Sequence, residues 1–181
     1  MSTSLVWYFA YGSNLQVATL RGRRGIDFQR AVPARARGWR LVFDKPPLAS
    51  AGTSVANIVA DEAAEVLGVA FAITPDDHAH VEHTEGVAFD NYRRVELLVQ
   101  PLAPTPDPPA MAFSLSSDRR DPTLQPSTRY MGLVIEGALE HGLPEAYVEL
   151  LRRVPACQES AAVAALRPLL DEFFKRPKKP I

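Results

Sequence analysis

At 181 residues the chain has the length of one domain, and with 46% hydrophobic residues it can bury a stable core without staples. Its 20 Lys and Arg against 21 Asp and Glu leave a net charge of −1, which excludes the broad positive field of a protein that grips phosphate backbones. A single cysteine, Cys157, excludes an internal disulfide and a thiolate-built zinc site, and no stretch approaches the ~20 apolar residues of a spanning helix. The N-terminus has no positive leader, and its apolar run stops at Gly12, too early for a signal peptide. The expectation is a soluble cytoplasmic protein, one domain over 1–181, without nucleic-acid or membrane partners.

Alternation with β-branched and aromatic residues predicts a first strand over Leu5–Ala10. It runs into Gly12-Ser13-Asn14, where a glycine permits positive φ and successive N–H groups can converge on an anion. The same composition also makes an ordinary strand-ending turn. Further strands are predicted over Trp39–Phe43, Ser54–Ala60 and Val66–Ile73. Thr74-Pro75-Asp76-Asp77 then supplies a hydroxyl cap, a first-turn proline and two carboxylates at the positive end of a dipole, so Pro75 to about His83 is expected to be helical.

From Asp76 to Glu85 the chain packs three histidines and four carboxylates into ten residues. No established ligand spacing is present, so a solvated helix face is expected and a metal site is not. Glu85 lies past the helix end, before Gly86 and the apolar Val87-Ala88-Phe89, a setting able to hold a carboxyl partly out of water for use as a base. A capping or salt-bridged glutamate is the alternative.

Strands are predicted again over Tyr92–Gln100 and Ala110–Leu115, joined by a proline-rich exposed loop, 101–109. After residue 126 the period lengthens to about 3.6. Met131, Val134, Ile135, Ala138 and Leu139 share a helical face between a Ser127 cap and Gly142. A second helix starts near Pro144 with Tyr147, Leu150, Leu151 and Val154 inward, and a third spans about Ser160–Phe174 with Pro168 kinking it. Residues 175–181 are basic, proline-interrupted and expected to fray. Strands first and helices after give an α+β class, and six strands can close into a small barrel.

Taken together, Tyr8-Phe-Ala-Tyr-Gly-Ser-Asn-Leu15, Glu85-Gly86-Val87 with Tyr92 beyond it, Pro126-Ser127 with Tyr130, and Gly137 followed by Gly142-Leu143-Pro144 and Tyr147 closely resemble the gamma-glutamylcyclotransferase (AIG2-like) family. The resemblance spans about residues 6–151. It implies a six-stranded closed β-barrel flanked by helices and a pocket at the Tyr-Gly-Ser-Asn loop. Glu85 matches the catalytic glutamate, and Tyr11, Gly12, Ser13, Asn14, Leu15 and Tyr130 match the substrate-binding positions. The implied reaction converts a small gamma-glutamyl amino acid or amine into 5-oxoproline and a free amine, with no cofactor and no metal. The sequence leaves the oligomeric state open, a homodimer included. Where many relatives carry a tyrosine in the last strand this chain has Phe113, which keeps a second reading in view: a non-catalytic module binding a gamma-glutamyl or other small carboxylate ligand.

Overall fold

The computed structural model describes residues 4–48, 52–106 and 108–174. Five strands close into a barrel: β1 (Val6–Ala10), β2 (Arg30–Lys45), β3 (Val55–Ile73), β4 (Arg93–Pro101) and β5 (Met111–Ser116). Around the barrel the order is β1-β3-β2-β4-β5. Neighbours are antiparallel except β1 and β5, which meet in parallel at Tyr8 and Phe113.

The expected count of six strands is therefore corrected to five. The stretches 54–60 and 66–73 belong to one strand, β3, and the polar residues between them form an irregularity within it. Pairing runs from Arg30↔Ala72 to Arg37↔Glu65 and resumes at Trp39↔Ala60, so Gly38 faces the four residues 61–64. The expected strand over 39–43 is likewise only the later half of β2. Its first half, Arg30-Ala-Val-Pro-Ala-Arg-Ala-Arg37, carries a proline and almost no large apolar side chain, and so gives no strand signal. Pairing with β3 and β4 makes it a strand regardless.

Period-two alternation divides the apolar side chains into two packed sets. Phe9, Ala34, Ala36, Ile58, Val66, Ala70, Leu97 and Ala112 belong to one, inside the barrel, where many alanines suit the narrow bore. Tyr8, Ala10, Val69, Phe71 and Ile73 face the other way and pack with helical residues such as Val81, Met131 and Val134.

Helix α1 (Pro75–Thr84) starts as expected, with the Thr74 hydroxyl accepting from the Asp77 N–H. Helix α2 (Thr128–Glu140) is capped by Ser127, whose hydroxyl accepts from the Tyr130 N–H. Its buried face is Met131, Val134, Gly137 and Ala138; Leu139, expected inward, is exposed. In α3 (Glu145–Arg152) Val148 and Leu151 are buried, while Leu150, also expected inward, is exposed. Helix α4 (Ala161–Phe174) runs through Pro168. No helix among the described residues is long and apolar enough to cross a membrane. The loop after β4 is an exposed hairpin connection as expected, tied to β2 by Leu102 N–H on the Pro33 carbonyl (2.9 Å). The tail 175–181 lies outside the described residues.

The face that α2 presents is decided by one close approach. A Cβ on Gly137 would lie 2.4 Å from the Gln16 nitrogen and 2.5 Å from the Leu15 carbonyl carbon, so only glycine lets the helix seat against the turn that follows β1. Gly137→Ala is expected to lower stability by about 1–3 kcal/mol in urea melts, the usual range for overpacking. Gly132→Ala, on the same helix with open space around its Cβ, is expected to raise it by up to about 1 kcal/mol. Equal effects would mean that the contact does not hold the helix.

Candidate active site

β1 ends at Ala10, and Tyr11 and Gly12 lead into a one-turn 3-10 helix, Ser13–Leu15. A helical turn over Ala18–Arg23 follows, widened by i→i−5 bonds such as Arg24 N–H on the Thr19 carbonyl (3.0 Å). That turn delivers the Arg24 side chain to Glu85, the C-cap residue of α1. Glu85 Oε1 lies 2.8 Å from Arg24 Nη2, and the two side chains are only 14% and 10% exposed. Asn14 Nδ2 lies 3.4 Å from the same carboxylate oxygen and donates to the Tyr8 hydroxyl at 2.9 Å. Asn91 Nδ2 donates to the Glu85 carbonyl at 2.8 Å, fixing the backbone that carries the carboxylate.

Glu85 is thus sheltered from water, but not by the apolar segment after it. Residues Val87–Phe89 form a 3-10 turn that leads away, and Phe89 is 76% exposed. Arg24, Asn14 and the surrounding tyrosines provide the shelter instead.

Tyr130, at the start of α2, reaches back across the turn. Its hydroxyl accepts from the Ala56 N–H at 3.0 Å. Burial pushes its phenol up, while hydrogen bonds from Ala56 and Ser13 pull the other way. Gly12 has φ −111°, so positive φ is not why glycine stands there. The reason is space: a Cβ would meet the Tyr130 hydroxyl at 2.9 Å and the Ala56 Cβ at 3.2 Å. Tyr11 donates to the Leu115 carbonyl (2.5 Å) and Tyr92 to the Ala56 carbonyl (2.9 Å). Burial holds the Tyr8, Tyr11 and Tyr92 phenols well above their ordinary range, and the Glu85 charge pushes the same way, so the walls carry neutral O–H groups.

These groups border a cavity of about 180 Å³. Glu85, Tyr11, Gly12, Ser13, Asn14 and Tyr130 all line it. Leu15 does not: it is fully buried in the core beneath the turn, packed with residues of the helical layer. Phe113 is also outside the lining. It stacks on Tyr8 with ring centroids 5.1 Å apart and meets the His78 ring at a tilt with centroids 4.0 Å apart, within the barrel wall.

The histidine-rich helix puts its side chains to structural use. His78 meets Glu82 at 3.1 Å, and His80 Nε2 bonds the Arg24 carbonyl at 2.9 Å. Among the described residues, no three His, Cys, Asp or Glu side chains converge as a metal-binding group.

Sequence reasoning missed Arg24, Lys45 and Asn91 as cavity residues. Arg24 sits in a stretch with no regular period. Lys45 did carry a signal, since period two places it on the same strand face as Leu41 and Phe43, where a charge is out of place. Chemically the cavity offers the sheltered Glu85 carboxylate for a proton, with a guanidinium and neutral hydroxyls beside it as hydrogen-bond donors; a second sheltered carboxylate in the lining, Glu159, is paired with Arg167.

Comparison with known proteins agrees with this geometry. Residues 65–151 match the model of the AIG2-like family. Gamma-glutamyl cyclotransferase aclK of Aspergillus oryzae is 31% identical over 173 residues, spanning 86% of this chain and 63% of that protein. Gamma-glutamyl cyclotransferase gliK of Aspergillus fumigatus is 28% identical over 198 residues, spanning 95% of this chain and 71% of that one. This chain therefore spans just under two thirds of the length of the first of these relatives. The fold is shared with the crystal structure of an uncharacterized protein from Homo sapiens, with a TM-score of 0.73 at 24% identity, covering 92% of this chain and 98% of that one.

The crowding of Gly12 against Tyr130 is open to a double-mutant cycle. Gly12→Ala is expected to cost about 1–3 kcal/mol in chemical denaturation when Tyr130 is intact. In a Tyr130→Phe background the cost is expected to shrink by at least about 0.5 kcal/mol, because the hydroxyl that the new methyl meets is gone. Equal costs in both backgrounds would show that the two residues do not touch.

Proposed function

For a chain that resembles the AIG2-like, gamma-glutamyl cyclotransferase family over most of its length, we infer that the cavity converts a small gamma-glutamyl compound into 5-oxoproline and a free amine, with Glu85 moving the proton. The observation that supports this best is the sheltered Glu85 carboxylate, held by Arg24 and Asn14 beside the turn that lines the cavity.

The substrate brings its own nucleophile. Its α-amine nitrogen attacks its γ-carbonyl carbon, a five-membered ring closes, and the bond from that carbon to the amide nitrogen breaks. Both reacting groups sit in one molecule, so holding it folded supplies much of the rate. The protein has two remaining tasks. The α-ammonium nitrogen must lose two protons to become the ring N–H, one before attack and one after. Glu85 takes each and passes it to the departing nitrogen, which leaves as an ammonium, so no proton is gained or lost overall. Arg24 and the neutral hydroxyls of the cavity wall offer donors to the oxygen on which negative charge builds as the carbonyl is attacked. The reaction needs no serine or cysteine nucleophile. The missing hydroxyl at Phe113, which kept a binding-only reading in view, falls in the barrel wall and not on the cavity, so it gives that reading no support.

Glu85→Gln keeps the size of the side chain but cannot carry the proton. Release of 5-oxoproline from a panel of gamma-glutamyl compounds is expected to fall at least ~10²- to 10⁴-fold. Substrate binding, read by calorimetry, is expected to change far less. Stability is expected to drop by about 1–3 kcal/mol, because the buried Arg24 guanidinium loses its countercharge. Glu82→Gln, on the same helix but off the cavity, serves as the control and is expected to keep near-parental turnover. Full turnover in Glu85→Gln, or an equal loss in both variants, would remove Glu85 from the mechanism.

A further inference from the structure

Lys45 closes β2 with its side chain fully buried, and it lines the cavity. Its Nζ donates to the Pro46 carbonyl and to Asn91 Oδ1, both at 2.8 Å, and lies 4.3 Å from the centre of the Tyr92 ring. An ammonium has three donors, and these two acceptors are neutral. Among the described residues no carboxylate forms an ion pair with it. The nearby Glu85 carboxylate is paired with Arg24. Asn91 Oδ1 also accepts from Arg119 Nη1 at 2.9 Å, so two cations converge on one amide oxygen. This wall of the cavity carries positive charge without a countercharge, an arrangement that is costly until an anion arrives.

We propose that Lys45 is a specificity residue that receives an anionic group on the leaving half of the substrate. The proposal rests on the cyclotransferase reading of the same cavity. The substrate's α-amine and α-carboxylate hang on one carbon, so the amine can reach Glu85 only if that carboxylate binds beside it. The turn carrying Asn14, which touches the Glu85 carboxylate, and the Arg24 guanidinium occupy that place. Lys45 joins Glu85 from the opposite side, through Asn91 and the Glu85 backbone carbonyl. It is therefore placed for the other end of the molecule. Burial, and then the Arg119 charge, lower its ammonium to about 8, with Glu85 pulling the other way, so it is charged at neutral pH and close to losing that charge.

Two compounds that differ only in the charge at issue, gamma-glutamylalanine and gamma-glutamylalaninamide, provide the test. The unmutated protein is expected to favour the acid over the amide about 10- to 100-fold in kcat/KM, the usual range for a charge-assisted hydrogen bond. Lys45→Met is expected to bring that ratio to within about threefold of one, chiefly by raising KM for the acid, while Lys45→Arg keeps much of the preference. A residue that only supports the fold would lower both rates together. An unchanged ratio in Lys45→Met, or no preference in the unmutated protein, would overturn the proposal and leave the cyclotransferase reading standing.

If neither compound is turned over, the cyclotransferase reading falls. The same ratio read by calorimetric binding then decides the role of Lys45. Should Lys45→Met fail to fold, the unmutated protein still answers. Its preference is expected to fade as pH rises through about 8, with the α-amine common to both compounds cancelling from the ratio. Arg119, Glu85 and the Tyr92 phenol are the other charged or titratable groups facing Lys45, and burial holds that phenol well above its ordinary range. A flat ratio from pH 7 to about 9.5 would overturn the proposal.

Discussion

The ion pair between Arg24 and Glu85 is the constraint on which the rest of the site depends. Taking a carboxylate and a guanidinium out of water together costs several kcal/mol per ion, roughly, and close pairing offsets that cost only when further hydrogen bonds satisfy the remaining polar atoms. Asn14 adds such a bond to the carboxylate, while Asn91 and His80 hold the backbone carbonyls of Glu85 and Arg24. The end of α1 is fixed by this cluster to two consecutive turns much earlier in the chain, the turn after β1 and the widened helical turn before β2.

The barrel gives this cluster a rigid frame and a space beside it. Its interior mixes alanines with larger side chains such as Phe9, Ile58 and Leu97, and at the open end the small Ala56 and Gly12 leave room for Tyr130 to cross from α2. Tyr130 then accepts the Ala56 N–H, and Tyr92 donates to the Ala56 carbonyl, so both backbone groups of that residue are satisfied by tyrosine hydroxyls. Because the phenols are buried, they remain neutral and add hydrogen-bonding capacity without charge. Gly137 completes the frame by letting α2 press on the turn itself.

Charge is distributed unevenly around the cavity. The Glu85 side is balanced internally by Arg24, whereas on the other side Lys45 and Arg119 hydrogen-bond neutral oxygens, those of Asn91 and Pro46. A substrate with an amine to deprotonate and an acidic group at its far end would complement both sides. In such a site, position and electrostatics do most of the chemical work, since the nucleophile arrives with the substrate.

The sequence by itself determined the α+β class and the helices with their caps, which are local matters: an alternating apolar pattern and a Thr-Pro or Ser cap. The grouping of Glu85, Tyr130 and the Tyr-Gly-Ser-Asn turn, far apart in the chain, was implied only by the resemblance to a family. Only the tertiary structure decided that there are five strands and not six, because 54–60 and 66–73 pair with β2 as one strand, and that Arg30–Arg37 joins β2 through its partners and not through its own propensity. It also decided what shelters Glu85. Arg24 lies 61 residues earlier in the chain, and Lys45 at the end of β2 meets Asn91 from the approach to the neighbouring strand β4. Burial and charge pairing depend on which residues meet in space, and such meetings leave little trace in local pattern. Lys45 on the face of Leu41 and Phe43 was the one place where that pattern did carry a hint, a charge at an inward position, whose meaning became legible only when its neighbours were seen.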